Sequence, residues 1–157
     1  MIKLTPLLSP LDSRKIDFFQ SQLINWFDEN GRHDLPWKPS LDFDLSTNLY
    51  RIWLSEIMLQ QTQVITVIQY FEKFTQRFPR LEDLANAPID DVLALWAGLG
   101  YYSRARNLHA CAQQIMDDFS GNWPRDLTLM MTLKGIGRTT SAAILSQGFN
   151  LPTEIVD

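Results

Sequence analysis

The sequence predicts an all-α protein of about eight to ten short helices. Apolar residues recur at intervals of three and four in several segments, for example between Val64 and Phe74, which is the spacing of one helix face. Glycine, proline and small polar residues separate these segments, as helix ends require. No segment alternates apolar and polar residues as a half-buried strand would.

The first helix is predicted from about Arg14 to Glu29. Asp12 or Ser13 can accept hydrogen bonds from its first turn, and Asn30-Gly31 favours its end. An irregular polar segment, 31–48, follows.

The second helix is expected to be capped by Thr47 or Asn48 and to end near Leu59. A third begins at Thr62 and stops before Phe78-Pro79, because the residue that precedes a proline avoids helical geometry. The remaining helices are shorter or carry clear stop signals, and are predicted near 81–86, from Pro88 to Gly98, at 103–119 before Ser120-Gly121, at 126–131, and at 138–147 before Gly148.

Composition places the chain among ordinary globular proteins with one hydrophobic core. The 157 residues are 45% hydrophobic and 20% charged, with no transmembrane-length apolar run and no signal-peptide pattern. Cys111 is the single cysteine, which excludes an intrachain disulfide and an all-cysteine metal site within these residues and fits a reducing cytosol. His33 and His109 lie too far apart in the sequence to indicate a metal site, so no metal ligand is predicted.

The charge distribution is uneven. The net charge of −4 argues mildly against nucleic acid, yet residues 100–140 carry +2 and the rest of the chain −6. Local potential matters more than the total when a polyanion docks on one face, so nucleic-acid binding stays open.

A carboxylate in apolar surroundings, Glu56, is followed by the adjacent amides Gln60 and Gln61. Burial favours the protonated carboxyl, which can then act as a general acid, and amides can read base edges. A solvated or capping glutamate is the alternative.

The segment 133–140 combines a glycine-rich turn with a helix start, and its donors are Lys134, Arg138, Thr139 and Thr140. Gly135 and Gly137 allow close approach of a ligand, and the following helix N-terminus favours an anion. This pattern is typical of a helix-hairpin-helix phosphate clamp; a plain glycine-rich connection is the alternative.

Two further segments carry aromatic residues. Tyr101-Tyr102 follows Gly100 and could wedge between bases, with Arg104 and Arg106 contacting phosphates; the alternative is core tyrosines beside a solvated basic face. Leu35-Pro36-Trp37 could line a base pocket or fill the core.

Taken in chain order, these motifs resemble the helix-hairpin-helix DNA glycosylase superfamily, and within it the MutY-type adenine DNA glycosylases. The resemblance covers roughly residues 17–157, nearly without gaps. The segments that carry it are Gly31-Arg32 with Leu35-Pro36-Trp37, residues 53–63, Leu84-Ala85-Asn86-Ala87-Pro88, residues 96–102, residues 104–108, and Gly135-Ile136-Gly137-Arg138.

The resemblance implies a six-helix barrel domain and an incomplete second helical domain. Residues 1–35 would form a leader and a helix of the second, iron–sulfur-side domain. Residues 36–151 would form the barrel domain with the hairpin at 126–147, and residues 152–157 would begin a further C-terminal part.

The resemblance also implies a reaction, the excision of adenine mispaired with 8-oxoguanine or guanine by hydrolysis of its N-glycosidic bond. Glu56 aligns with the acid that protonates adenine, and Asp157 with the carboxylate that stabilises the sugar cation. Arg32, Leu35 and Trp37 align with the adenine pocket. The residues expected to enter or hold the DNA are Gln60, Gln61, Thr62, Tyr101, Arg104, Lys134, Gly135, Gly137, Arg138, Thr139 and Thr140.

The implied partner is duplex DNA with an A:8-oxoguanine or A:G mismatch, in the bacterial cytoplasm at the nucleoid and without a membrane. The full-length protein is expected to be a monomer, and the oligomeric state of this chain stays open. A [4Fe–4S] cluster is expected in the full-length protein, with its ligands outside this chain. Thr139 stands where endonuclease III-like relatives have a Schiff-base lysine, so the resemblance favours a monofunctional enzyme.

Three other readings stay open: an endonuclease III-like glycosylase and lyase, a non-catalytic helix-hairpin-helix DNA-binding module, and a helical interaction protein. The chain departs from the family in a longer polar segment, Lys38–Asn48, and in His33, where a basic residue is common. Because the chain stops at Asp157, we expect an inactive fragment with an apolar patch at Phe19, Leu23 and Trp26.

Overall fold

The computed structural model describes residues 12–153, in which every regular element is an α-helix. This confirms the all-α prediction. The helices are α1 (Ser13–Asn30), α2 (Leu45–Leu59), α3 (Val64–Arg77), α4 (Leu81–Ala85), α5 (Ile89–Trp96), α6 (Tyr102–Phe119), α7 (Leu127–Met130) and α8 (Arg138–Phe149). Among them, none is both long and apolar enough to cross a membrane.

The chain divides into two compact units, Met1–Asp34 and Leu35–Asp157. In the first unit the Asp12 side chain accepts a hydrogen bond from the Arg14 N–H and so caps α1. No residue of α1 is buried, and its large apolar side chains are exposed, as expected for Phe19, Leu23 and Trp26.

The second unit is organised around α2, whose buried residues are Leu49, Tyr50, Ile52, Trp53, Leu54, Ser55, Ile57 and Met58. This helix packs against α3, α4, α6 and α8. A helix that is apolar on most sides is stable only when neighbours cover it. The core of the unit therefore surrounds α2, and α2 supplies the frame on which the loops at its C-terminal end are placed.

The start of α2 differs from the prediction. Asp44, not Thr47 or Asn48, is the N-cap, and its carboxylate accepts a hydrogen bond of 2.7 Å from the Thr47 N–H. The Asn48 side chain instead bonds both the N–H and the C=O of Ser40, at 3.0 and 2.9 Å. Asn48 thus folds the polar loop back onto the helix, a tertiary role that local sequence does not reveal.

The end of α8 also differs from the prediction. Gly148 lies inside the helix, which ends at Asn150 with a left-handed φ of 54°. A Cβ at Gly148 would lie 2.2 Å from Leu49 Cδ2. The glycine is therefore used for close approach of α8 to α2 and not as a stop, and asparagine supplies the left-handed end.

Replacing Asp44 with alanine should lower the free energy of unfolding by about 1 kcal/mol at neutral pH, because the cap is lost. Hydrogen bonds from Thr47, backbone first, hold the pKa of Asp44 below its usual range. The advantage of the wild type is therefore complete above about pH 4 and is lost as the pH falls through the lowered pKa. Asp44→Asn, which caps without titrating, is the control in urea unfolding measured against pH. An equal loss in both variants would contradict the capping role.

Candidate functional site

Glu56 lies on α2 between the buried residues Ser55 and Ile57 and is itself half-buried. Burial raises the pKa of its carboxyl, and a hydrogen bond from Gln147 works in the opposite direction. That bond runs from Gln147 Nε2 to Glu56 Oε1 at 3.4 Å. The carboxyl therefore keeps its proton to a higher pH than an exposed glutamate, as a general acid requires.

Gln147 was not predicted as a site residue. It lies 91 positions from Glu56 and reaches it only because α8 packs against α2. No local motif around Gln147 indicates this pairing, so the fold was needed to find it.

The turn that follows α2 presents Gln60 and Gln61, both exposed. Gln61 has a left-handed φ of 56°, which is uncommon for a residue with a side chain. The Thr62 N–H bonds back to the Leu59 carbonyl at 3.2 Å and closes the turn. The amides therefore stand on a short, strained turn at the end of the helix that carries Glu56.

The segment between α5 and α6 is a second strained loop, with φ of 100° at Gly98, 72° at Gly100 and 49° at Tyr101. The Tyr70 hydroxyl donates to the Ala97 carbonyl at 3.0 Å, and Trp96 Nε1 donates to the Gly100 carbonyl at 3.1 Å. Tyr101 is 61% exposed. Two side-chain hydrogen bonds thus fix the backbone of the loop while its tyrosine projects into solvent, as a wedge between bases would require.

Arg104 does not lie where a phosphate contact was expected. Its side chain is buried, and its guanidinium donates to several backbone carbonyls and to the Thr62 hydroxyl. Burial lowers the pKa of this guanidinium. The structure therefore corrects the expectation for Arg104, which is held within the protein and not turned toward solvent.

The glycine-rich segment between α7 and α8 forms a turn, in which the Ile136 N–H bonds to the Leu133 carbonyl at 3.2 Å. Gly135 has φ of 73°, and a Cβ there would lie 2.8 Å from Asn107 Cβ. Gly137 is the N-cap of α8, and a Cβ there would meet no atom within 4 Å. The first glycine is required by the fold, whereas the second leaves the helix N-terminus open to a ligand.

A glutamine that was not predicted supports the hairpin from α6. Gln114 Oε1 accepts a hydrogen bond of 3.0 Å from the Lys134 N–H, and its Nε2 donates to the Thr132 carbonyl at 3.3 Å. On the hairpin itself, Arg138 and Thr139 are exposed. The Thr140 side chain is buried, so the expectation that its hydroxyl donates to a phosphate is corrected.

The residues expected to form an adenine pocket differ in their burial and in the unit to which they belong. Trp37 is buried in the core with its ring 5.4 Å from that of Phe71, which is the core-filling alternative. Leu35 is partly buried against the same core. Arg32 is exposed and belongs to the first unit.

Asp157, the expected second carboxylate, lies outside the described residues 12–153. Within that range no three His, Cys, Asp or Glu side chains lie together as metal ligands would.

Comparison with known proteins identifies a matching family and several relatives. Residues 54–157 match the model of the family described as HhH-GPD superfamily base excision DNA repair protein. The chain is 46% identical over 139 residues to an adenine DNA glycosylase of Buchnera aphidicola subsp. Baizongia pistaciae (strain Bp), covering 88% of this chain and 38% of that protein. It is 44% identical over 149 residues to an adenine DNA glycosylase of Homo sapiens, covering 93% of this chain and 27% of that protein. The chain thus spans well under half the length of these relatives.

Solved structures show the same architecture. A thermostable thymine-DNA glycosylase superimposes with a TM-score of 0.79 at 25% identity, covering 92% of this chain and 64% of that one. An endonuclease III in a non-covalent DNA complex gives a TM-score of 0.74 at 20% identity, covering 94% and 65%. The second likeness is one of fold alone, and together they confirm the predicted fold class.

Replacing Glu56 with glutamine should raise the thermal midpoint at pH 7 by a few degrees. Because the pKa of Glu56 is raised in the folded state, the folded protein binds a proton that the unfolded chain releases. Wild-type stability therefore falls as the pH rises above about 4.3, and the variant escapes this loss. Glu72→Gln, at an exposed position on α3, is the control. A midpoint for Glu56→Gln that stays at or below that of the wild type from pH 4 to pH 8 would contradict the burial argument.

Proposed function

The chain belongs to the HhH-GPD superfamily of base excision DNA repair proteins, and on this premise we propose that the protein is a monofunctional adenine DNA glycosylase. It removes adenine mispaired with 8-oxoguanine or guanine by hydrolysing the N-glycosidic bond. The observation that carries the proposal is the half-buried carboxyl of Glu56, whose pKa is raised by burial and which lies on the helix that leads into the strained, exposed turn at Gln61. The adenine DNA glycosylases among the relatives support the choice of base.

In the proposed reaction the Glu56 carboxyl donates its proton to the adenine ring. Protonation turns adenine into a neutral leaving group as the bond to the sugar breaks. The resulting sugar cation needs a nearby carboxylate that stays ionised, a division of roles known from sugar hydrolysis. We assign this second role to Asp157 on the family resemblance. Water then adds to the sugar carbon and loses a proton, which completes the hydrolysis.

The target base must leave the helix before it can meet Glu56. Gln61 and Tyr101 are the side chains that we propose to fill the opened stack, because each is exposed at a left-handed turn. A flat aromatic ring can stack on any base, whereas the amide of Gln61 can bond a base edge left without its partner.

The hairpin supplies affinity that does not depend on base sequence. The N-terminus of α8 begins at Gly137, which has no side chain to cap the helix, and Lys134 and Arg138 flank it. Backbone N–H groups and the helix dipole at such an end favour a phosphate. We propose that one DNA strand lies here while the base is turned out.

The two hairpin glycines offer a matched test of this interface. Gly137→Ala should keep the stability of the wild type, since the new Cβ enters open space, yet weaken binding to matched duplex several-fold. Gly135→Ala should lose about 1–2 kcal/mol of folding free energy, because its φ is left-handed and Asn107 is in the way. Fluorescence anisotropy and thermal melts measure the two effects. Unchanged DNA affinity in a well-folded Gly137→Ala would argue against the phosphate site.

Strand cleavage is not part of the proposal. A lyase needs an amine that forms a Schiff base with the abasic sugar, and Thr139 stands at the position where the resembling lyases have that lysine. The endonuclease III-like alternative rests on likeness of fold, at 20% identity.

The resemblance also implies a [4Fe–4S] cluster, but the chain has one cysteine, Cys111, which is buried on α6 with its pKa raised to about 12. The residues present do not fit a cluster that needs four thiolates.

Single-turnover excision in the complete protein that carries this sequence tests the role of Glu56. Glu56→Gln should lower the rate on A:8-oxoguanine duplex by about 10²–10⁴-fold, the usual contribution of a general acid, while DNA affinity is kept. The wild-type rate should fall as the pH rises through the raised pKa of Glu56. Gln147→Ala should move that fall to higher pH, because it removes the hydrogen bond that favours the ionised form.

The same reactions separate the alternatives. A monofunctional enzyme leaves an uncut abasic strand that breaks only in alkali, and borohydride traps little covalent adduct. Strong trapping would support the lyase, and excision that survives Glu56→Gln would remove the basis of the proposed mechanism. Binding without excision by the wild type would favour the non-catalytic module.

A further inference from the structure

Arg104 contacts two segments that lie about 40 residues apart in the sequence, each of which carries one of the strained, exposed residues. Its guanidinium donates to the end of α2 and the turn after it, and also to the loop before α6. Its acceptors are Ile57 O at 3.1 Å, Met58 O at 3.1 Å, Gln60 O, Thr62 Oγ1 at 3.3 Å, Leu99 O at 3.2 Å and Gly100 O at 3.4 Å.

The acceptors in the first segment, the end of α2 and the turn after it, include carbonyls at the C-terminal end of the helix. The last carbonyls of a helix have no partner within the helix, and a cation there also complements the helix dipole. Arg104 thus completes the end of α2 from a different helix. A helix end closed in this way can turn sharply into Gln61.

The acceptors in the second segment, the loop before α6, lie directly before Tyr101. The guanidinium carbon also lies 5.3 Å from the centre of the Tyr101 ring and 5.6 Å from that of Trp96. A cation at this distance from an aromatic ring is attracted to it. Arg104 therefore holds both the backbone that precedes the tyrosine and the tyrosine ring itself.

Both turns are strained. Gln61 has φ of 56° and Tyr101 has φ of 49°, and a left-handed conformation costs energy in residues with a side chain. Such conformations persist where the surroundings hold them. Arg104 bonds the residues on both sides of Gln61 and the residue before Tyr101, so one buried side chain holds both.

We propose that Arg104 is a positioning residue that fastens the Gln61 turn and the Tyr101 loop into one rigid unit, so that the two side chains enter the duplex together at a fixed spacing. This deepens the proposed function, on which it rests. The two terminal nitrogens of a planar guanidinium can serve acceptors in both segments at once, whereas a lysine ammonium has a single nitrogen and no plane to lay against a ring.

Hydrogen exchange followed by NMR tests the fastening without DNA. The Thr62 N–H, bonded to Leu59, and the Leu99 N–H, bonded to Trp96, report on the two segments. Arg104→Lys should speed exchange at both amides by roughly tenfold or more, the loss expected for at least one charged hydrogen bond. Amides in the middle of α3 should keep their rates. Arg106→Lys, an exposed neighbour on the same helix, is the matched control and should change neither amide.

A gentler variant covers the case in which Arg104→Lys does not fold. Thr62→Val removes one acceptor from the first segment only. If Arg104 couples the two segments, exchange at Leu99 should also quicken, although Thr62 bonds Leu59 and Arg104 and not that loop within the part of the chain that the structure describes. Faster exchange in one segment alone, in either variant, would overturn the proposal.

DNA binding by the wild type and by Arg104→Lys tests whether holding the two loops together matters for function. The wild type should prefer duplex with A opposite 8-oxoguanine to matched duplex. Arg104→Lys should lose most of that preference and keep its affinity for matched duplex, because the hairpin is untouched. Equal loss on both duplexes would show a general structural defect and overturn the positioning role. If the wild type itself has no preference, the proposed function fails, and the exchange experiment still decides whether Arg104 couples the two loops.

Discussion

The burial of α2 is the constraint on which the rest of the second unit depends. Four helices pack against it, and eight of its fifteen residues are buried. Two consequences follow from this one fact. An ionisable group on this helix, Glu56, loses hydration and has its pKa raised. The helix end has carbonyls that water does not reach, and Arg104 supplies their donors. The acid and the strained turn beside it are both products of the same packing.

One face of α6 carries this arrangement to the hairpin. Arg104, Asn107 and Gln114 follow helical spacing along it, with the buried Cys111 between them. The first holds the two loops after α2 and before α6, the second lies under Gly135, and the third bonds the backbone on both sides of Leu133. The two loops and the hairpin, which we propose to contact one duplex, are thus all held by side chains of a single helix, and this keeps their spacing constant.

Sequence reasoning found what depends on neighbours along the chain. Helical spacing and stop signals predicted the elements, and the glycine pattern predicted the hairpin, because caps and left-handed turns are local chemistry. The roles of residues that contact a distant part of the fold were not predicted. Gly148 has a sequence context typical of a helix stop but makes room for Leu49, and Asn48 looks like a cap but closes a loop. The pairing of Gln147 with Glu56 and the inward turn of Arg104 likewise exist only after the helices pack.

The burial of Arg104 also changes how this acidic chain can meet DNA. The positive segment 100–140 owes one of its five cations to Arg104, which the structure turns inward. The exposed charges of the segment are then four cations, Arg106, Arg125, Lys134 and Arg138, against the three acids Asp117, Asp118 and Asp126. Their near balance means that charge alone supplies modest affinity for phosphates. The helix N-terminus at Gly137 adds dipole and backbone donors without adding net charge. The insertion that we propose for Gln61 and Tyr101 would add stacking that depends on a base pair that opens easily. A protein that binds weakly to intact duplex and gains affinity where pairing is poor would discriminate a mismatch through the cost of opening it, which is why the rigidity of the inserting unit matters more than the number of arginines.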